Sequence, residues 1–171
     1  MTNKAPNKVK VKDEMHISEP SAQYCTFEEL INKDGYIIYT NVGYSMMPLL
    51  RQKRDIIEIR QRNTDRSKKY DVVLYKRGSR YILHRILKVL PDGYLIAGDH
   101  CVTVEKDIKD KDILGVMTRV IRDGKVITPD NKLYKLYVHI WCDVYPVRMI
   151  LLRTKWFLYR CLRYVKRKVL G

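Results

Sequence analysis

The chain has 171 residues, 46% of them hydrophobic, which is enough for one core of ordinary size with an appendage. Its net charge of +15 and pI near 9.7 favour anionic partners, either nucleic acid or an acidic membrane surface. Cys25, Cys101, Cys142 and Cys161 are scattered without a C-x-x-C, which argues against a disulfide framework and a metal centre; no cofactor is expected.

Residues 1–25 read as a flexible basic arm, polar and Lys-rich over its first 19 positions. No apolar run follows, which excludes an ordinary secretory signal. Nor does any uninterrupted apolar run of about 18 residues occur, so no plain transmembrane helix is expected. Thr26 to Ile31 predicts a short helix, with Thr26 as N-cap and Glu29 as its capping-box partner. Lys33-Asp34-Gly35 ends it. Short β-branched or aromatic runs follow at Tyr36–Thr40, Ile56–Arg60, Tyr70–Tyr75, Tyr81–Leu90, Tyr94–Ala97 and Gly115–Ile121, as in a mostly antiparallel sheet or barrel. Arg122-Asp123-Gly124-Lys125 adds a hairpin turn. The thirteen tyrosines suit half-buried sheet positions, apolar on one side and wet on the other.

After Pro129 the periodicity becomes helical. Leu133, Leu136, Tyr137, Ile140 and Val144 recur up to Pro146, and Leu151, Leu158, Leu162, Val165 and Val169 line a second helix. Arg153, Arg160 and Arg167 stripe its opposite side, joined by Lys155, Arg163, Lys166 and Lys168, with Trp156, Phe157 and Tyr159 among them. That composition suits a helix lying in a membrane interface; packing on the sheet domain or on a second copy is the alternative, and nucleic acid a third destination for the charge.

Chemistry concentrates at Gly43-Tyr44-Ser45-Met46-Met47-Pro48. A glycine two before the serine and a proline three after it fit a tight turn that exposes the hydroxyl and its backbone N–H. A serine needs a base to become a nucleophile, and His84 in Tyr81–Ile86 is the candidate. Leu90 to Tyr94 reads as a hairpin turn. Pairing Leu90 with Gly93 sets His84 opposite Asp99, and pairing it with Leu95 makes Asp99 a diagonal neighbour on the same face. The intermediate register separates the two. Lys76 and Lys88 are alternative bases; His16, His100 and His139 have no assigned role. Tyr44, Met46 and Met47 either shape substrate pockets or fill the core.

In order and spacing, Gly43-Tyr44-Ser45-Met46-Met47-Pro48-x-Leu50, then Tyr70–Tyr75, then His84-Arg85-Ile86, then Gly98-Asp99 resembles the signal peptidase I and LexA-type serine peptidase superfamily, over about residues 42–124. The residue before the arginine is a histidine, as in the endoplasmic-reticulum and archaeal type. The resemblance implies a mainly β, partly barrel-like peptidase domain over 26–128, with a basic amphipathic helical tail over 129–171. It also implies Ser45 as nucleophile, His84 as general base and Asp99 as third catalytic residue. Many signal peptidases carry a second serine where this chain has Gly43, so the oxyanion falls to backbone N–H groups, chiefly that of Ser45. The expected activity is Ser/His(/Asp) endopeptidase cleavage of an extended segment in a peptide or protein substrate, with small side chains before the cut. No anchor is read ahead of the catalytic box, so the expected location is peripheral on a membrane, through the tail, or cytoplasmic. A LexA-like self-cleaving regulator and a non-catalytic basic module binding lipid or nucleic acid are the rival readings.

Overall fold

The computed structural model describes residues 9–10, 24–62 and 65–169. Most of the predicted basic arm, His16 included, lies outside these. Two-residue strands β1 (Val9–Lys10) and β2 (Tyr24–Cys25) pair antiparallel ahead of helix α1 (Phe27–Asp34). Thr26 caps α1 as its sequence predicts: its hydroxyl accepts from Glu29 N–H while the Glu29 carboxylate accepts from Thr26 N–H. Gly35, at φ 75°, ends the helix in the left-handed region.

Strands β3 (Tyr36–Thr40), β4 (Ile56–Gln61), β5 (Val72–Arg77), β6 (Arg80–Leu90), β7 (Gly93–Ala97), β8 (Glu105–Ile108), β9 (Ile113–Arg122) and β10 (Lys125–Ile127) form one antiparallel sheet. Its order is β3-β4-β9-β5-β6-β7-β8, with β10 on β9, so β3 and β8 end the path and the sheet is open. Strand β5 explains the two-sided core. Its residues alternate, Val72 and Leu74 entering a larger cluster with Phe27, Ile31, Ile57 and Met117, while Val73 and Tyr75 enter a smaller one with Ile86, Tyr94 and Ile96. Both faces of β5 are therefore buried, and the site is built on its neighbour β6.

Helix α2 (Lys132–Asp143), capped by the Asn131 carboxamide, closes the larger core with Tyr134, Val138 and Cys142. Helix α3 (Tyr145–Val169) follows with Pro146 in its first turn, where a proline is tolerated. The apolar stripe read from the sequence of α2 is mostly not the side it buries: Tyr137 is half-buried, but Leu133, Leu136, Ile140 and Val144 face solvent. Polar anchors decide the docking, because the Tyr134 and Tyr137 hydroxyls both have partners on the sheet domain. Among the described residues, no helix is long and apolar enough to cross a membrane.

Candidate active site

Ser45 sits in the turn between β3 and β4. Gly43 adopts φ +108°, a conformation that side chains rarely take, with no atom within 4 Å of where a Cβ would stand. Glycine is therefore required there by conformation, not by space. Met46 and Leu50, both buried, nail the turn to the core, so Met46 is core filler while Tyr44 is 65% exposed. Asp55 fastens the far side: its carboxylate accepts from Arg51 N–H and pairs with the Arg54 and Arg122 guanidinium groups. Burial alone would raise the Asp55 carboxyl, but these partners hold it well below the usual carboxylate range.

His84 lies on β6 opposite Val73 and is 8% exposed. Its Nδ1 is 3.1 Å from Glu105 Oε1 and 3.2 Å from Tyr75 Oη. A carboxylate at Nδ1 favours the tautomer with the proton there and leaves the Nε2 lone pair open. Burial lowers the His84 pKa below its ordinary 6.5, against the Glu105 charge that raises it, so the neutral imidazole dominates near pH 7. Arg77 pairs with the other Glu105 oxygen.

Gly98 is where the Ser45 main chain and the His84 ring come together. A Cβ there would stand 2.5 Å from Ser45 O, 2.7 Å from Cys101 Sγ and 3.0 Å from His84 Nε2. Only a residue without a side chain lets the β7–β8 loop close over both groups. His100 N–H then donates to Ser45 O at 2.8 Å, and Cys101 N–H to Gly98 O at 3.0 Å. The Ser45 backbone and His84 Nε2 thus face one small space. Among the described residues, neither the Ser45 hydroxyl nor its N–H has a hydrogen-bond partner, and Ser45 is half-buried.

Asp99 is directed elsewhere. Pairing begins as Leu90↔Gly93, the register that would set His84 opposite Asp99, but a bulge between Ile86 and Lys88 shifts it so that Arg85 faces Ala97. Asp99 consequently joins the face of Arg85, and both are fully buried. Two hydrogen bonds of 2.9 and 2.8 Å link them, with Tyr137 Oη–H donating to Asp99 Oδ2 at 2.8 Å and Trp141 Nε1–H to Asp99 O at 2.8 Å. Arg85 also donates to Tyr70 O and Tyr134 Oη. The carboxylate touching His84 is Glu105, not Asp99. Sequence reasoning passes over Glu105 because Glu105-Lys106-Asp107-Ile108 shows no period-two alternation, and β8 was not expected. Lys76 pairs with Glu28 on α1 and Lys88 is exposed beyond the bulge, so neither lysine stands where His84 does, beside Gly98. His139 pairs with Asp143 on the surface.

Ser45 opens onto a groove of about 460 Å³ lined by Phe27, Tyr39, Asn41, Tyr81, Ile82 and Leu83 among others. It lies beside β3, which ends the sheet among the described residues, and the first half of β6. The Phe27 ring packs 5.0 Å from Tyr39 and 5.1 Å from Tyr81, making an aromatic floor. Comparison with known proteins found no matching family model, no matching curated protein and no matching solved structure.

Proposed function

We propose that the chain is a serine endopeptidase with a signal-peptidase-like, partly barrel-like domain, acting on extended peptide segments. The single observation that supports this reading is the position of His84, with Nδ1 on a carboxylate and Nε2 bordering, at Gly98, the same small space as the Ser45 carbonyl oxygen. In the reaction, Ser45 Oγ attacks the scissile carbonyl carbon and its proton passes to His84 Nε2. The carbonyl oxygen becomes an oxyanion and takes a hydrogen bond from Ser45 N–H. Glu105 stabilises the imidazolium so formed. Collapse of the tetrahedral species breaks the C–N bond, and His84 gives its proton to the departing amine. Water, deprotonated by His84, then releases the acyl group and restores Ser45.

The substrate is held as an added strand in the groove beside β3, the strand that ends the sheet among the described residues, where backbone hydrogen bonds orient the scissile bond. The Ser45–His84 hydrogen bond forms when substrate fills the site, as catalytic hydrogen bonds often tighten on binding.

Turnover of a fluorogenic peptide library and labelling by a fluorophosphonate probe test the proposal. Ser45→Ala and His84→Ala should each lower kcat by a factor on the order of 10⁴ or more and abolish labelling. Wild-type turnover in the Ser45→Ala protein would overturn the assignment.

A further inference from the structure

Helix α2 has two apolar sides, and among the described residues only one is covered. Its inner side docks on the sheet domain, whereas Leu133, Leu136, Ile140 and Val144 are 76%, 57%, 56% and 46% exposed. The Arg148 N–H to Val144 O hydrogen bond of 3.0 Å carries the helical ladder into α3. The start of α3 is fastened, with Leu152 buried and the buried Arg148 guanidinium 5.8 Å from the Trp141 ring centroid. Beyond Leu152 the helix is largely exposed: Trp156, Phe157, Leu158, Tyr159, Leu162 and Val165 are all more than half exposed. So many exposed large apolar side chains on two consecutive helices mark an interaction site rather than ordinary solvent exposure.

Charge selects the occupant. From Tyr145 to Gly171 the chain carries eight Lys and Arg and no Asp or Glu. Pairing two copies of this helix would bring like charges together, so a second copy is a poor partner. Nucleic acid would satisfy the cations but leave the large apolar side chains in water. An anionic bilayer surface satisfies both: Trp, Phe and Leu enter the headgroup–acyl boundary while Lys and Arg reach the phosphates.

We infer that the exposed faces of α2 and α3 form a docking surface for an anionic lipid bilayer, on which the helices lie without crossing it. The docking itself is independent of the activity proposed for Ser45. Its consequence for substrate choice rests on that activity. Lys155, Trp156 and Tyr159 of α3 line a cavity with His100, and His100 N–H holds Ser45 O. The catalytic turn is thus one residue removed from the docked helix, which selects peptide segments emerging close to the bilayer.

Flotation of the full chain with vesicles of phosphatidylcholine and phosphatidylserine at 70:30, beside pure phosphatidylcholine, tests the inference. Binding should be at least about tenfold tighter to the anionic vesicles and weaken with salt. Leu136→Glu/Ile140→Glu and Leu158→Glu/Leu162→Glu each alter only exposed positions, and each should lower binding about tenfold or more with unchanged circular dichroism and melting. Ser45→Ala should bind like wild type, so a protein that binds vesicles yet cleaves nothing would retain the docking surface and lose the peptidase proposal. No vesicle binding, tighter retention on a DNA oligonucleotide at matched salt, or a dimer in sedimentation that Leu158→Glu/Leu162→Glu dissolves would each overturn the inference.

Discussion

His84 must be neutral to accept a proton, and burial favours that form. A peptidase working through it should show kcat/KM rising with pH along an acid limb whose midpoint lies below 6.5, then levelling off. A midpoint above 7 would contradict a buried neutral base. Two carboxylates near the site can be told apart by the same measurement. Glu105→Gln removes the charge that raises the His84 pKa, so the limb should move to still lower pH. The amide can also favour the wrong tautomer, so kcat should fall by a factor on the order of 10³–10⁴. Asp99→Asn instead strips the charge partner from Arg85, which is fully buried. Its expected signature is a stability loss of about 3–5 kcal/mol in denaturant titration, with the limb moved far less than by Glu105→Gln. If Asp99→Asn moved the limb more than Glu105→Gln, the roles assigned here would be reversed.

At the scale of elements, the loop between β7 and β8 acts as a clamp, and Gly98 is its contact point. A methyl group there meets Ser45 O, a backbone atom, at 2.5 Å, so the loop or the serine turn has to move. Gly98→Ala should therefore cost at least about 10² in kcat/KM by separating nucleophile and base. The overpacking cost in stability should be about 1–3 kcal/mol. Near-normal turnover in that variant would mean the clamp is not needed. Why this element was only half legible follows from its construction. Gly98-Asp99 is marked by the resemblance, which also implies its place near Ser45 and His84. The bulge at Leu87 did not stand out, since Ile86-Leu87-Lys88 carries no glycine or other turn residue, and that bulge alone decides which side of the sheet Asp99 joins. The capping box of α1 was fully readable because it is local, two residues three positions apart satisfying one another. The docking side of α2 was not, because two tyrosine hydroxyls reaching Arg85 and Asp99 outweigh the aliphatic stripe that periodicity favours.

The whole molecule couples site and stability through the same buried groups. His84 has a folded-state pKa below its ordinary 6.5, so the unfolded chain binds more protons as pH falls past that value. Stability should therefore begin to decline below about pH 6.5, well before the carboxylates titrate. Asp55 and Glu58 behave in the usual carboxylate sense. Burial would raise both, but Arg54 and Arg122 around Asp55, and Arg60, Arg119 and Thr118 around Glu58, hold both low. Their contribution is present above pH 4 and is lost as pH falls further. Two acid steps should result, one from the base of the proposed site and one from the arginine-clamped acids that hold the serine turn and β4. Melting temperature measured from pH 8 to pH 3 should show both in the wild type. His100, lowered by burial and by Lys155, adds to the first step, so in His84→Gln that step should shrink to the His100 share while the second is kept. Were the first decline to persist unchanged in His84→Gln, the proton uptake would belong to another group, and the buried neutral imidazole on which Ser45 depends would lose its thermodynamic support.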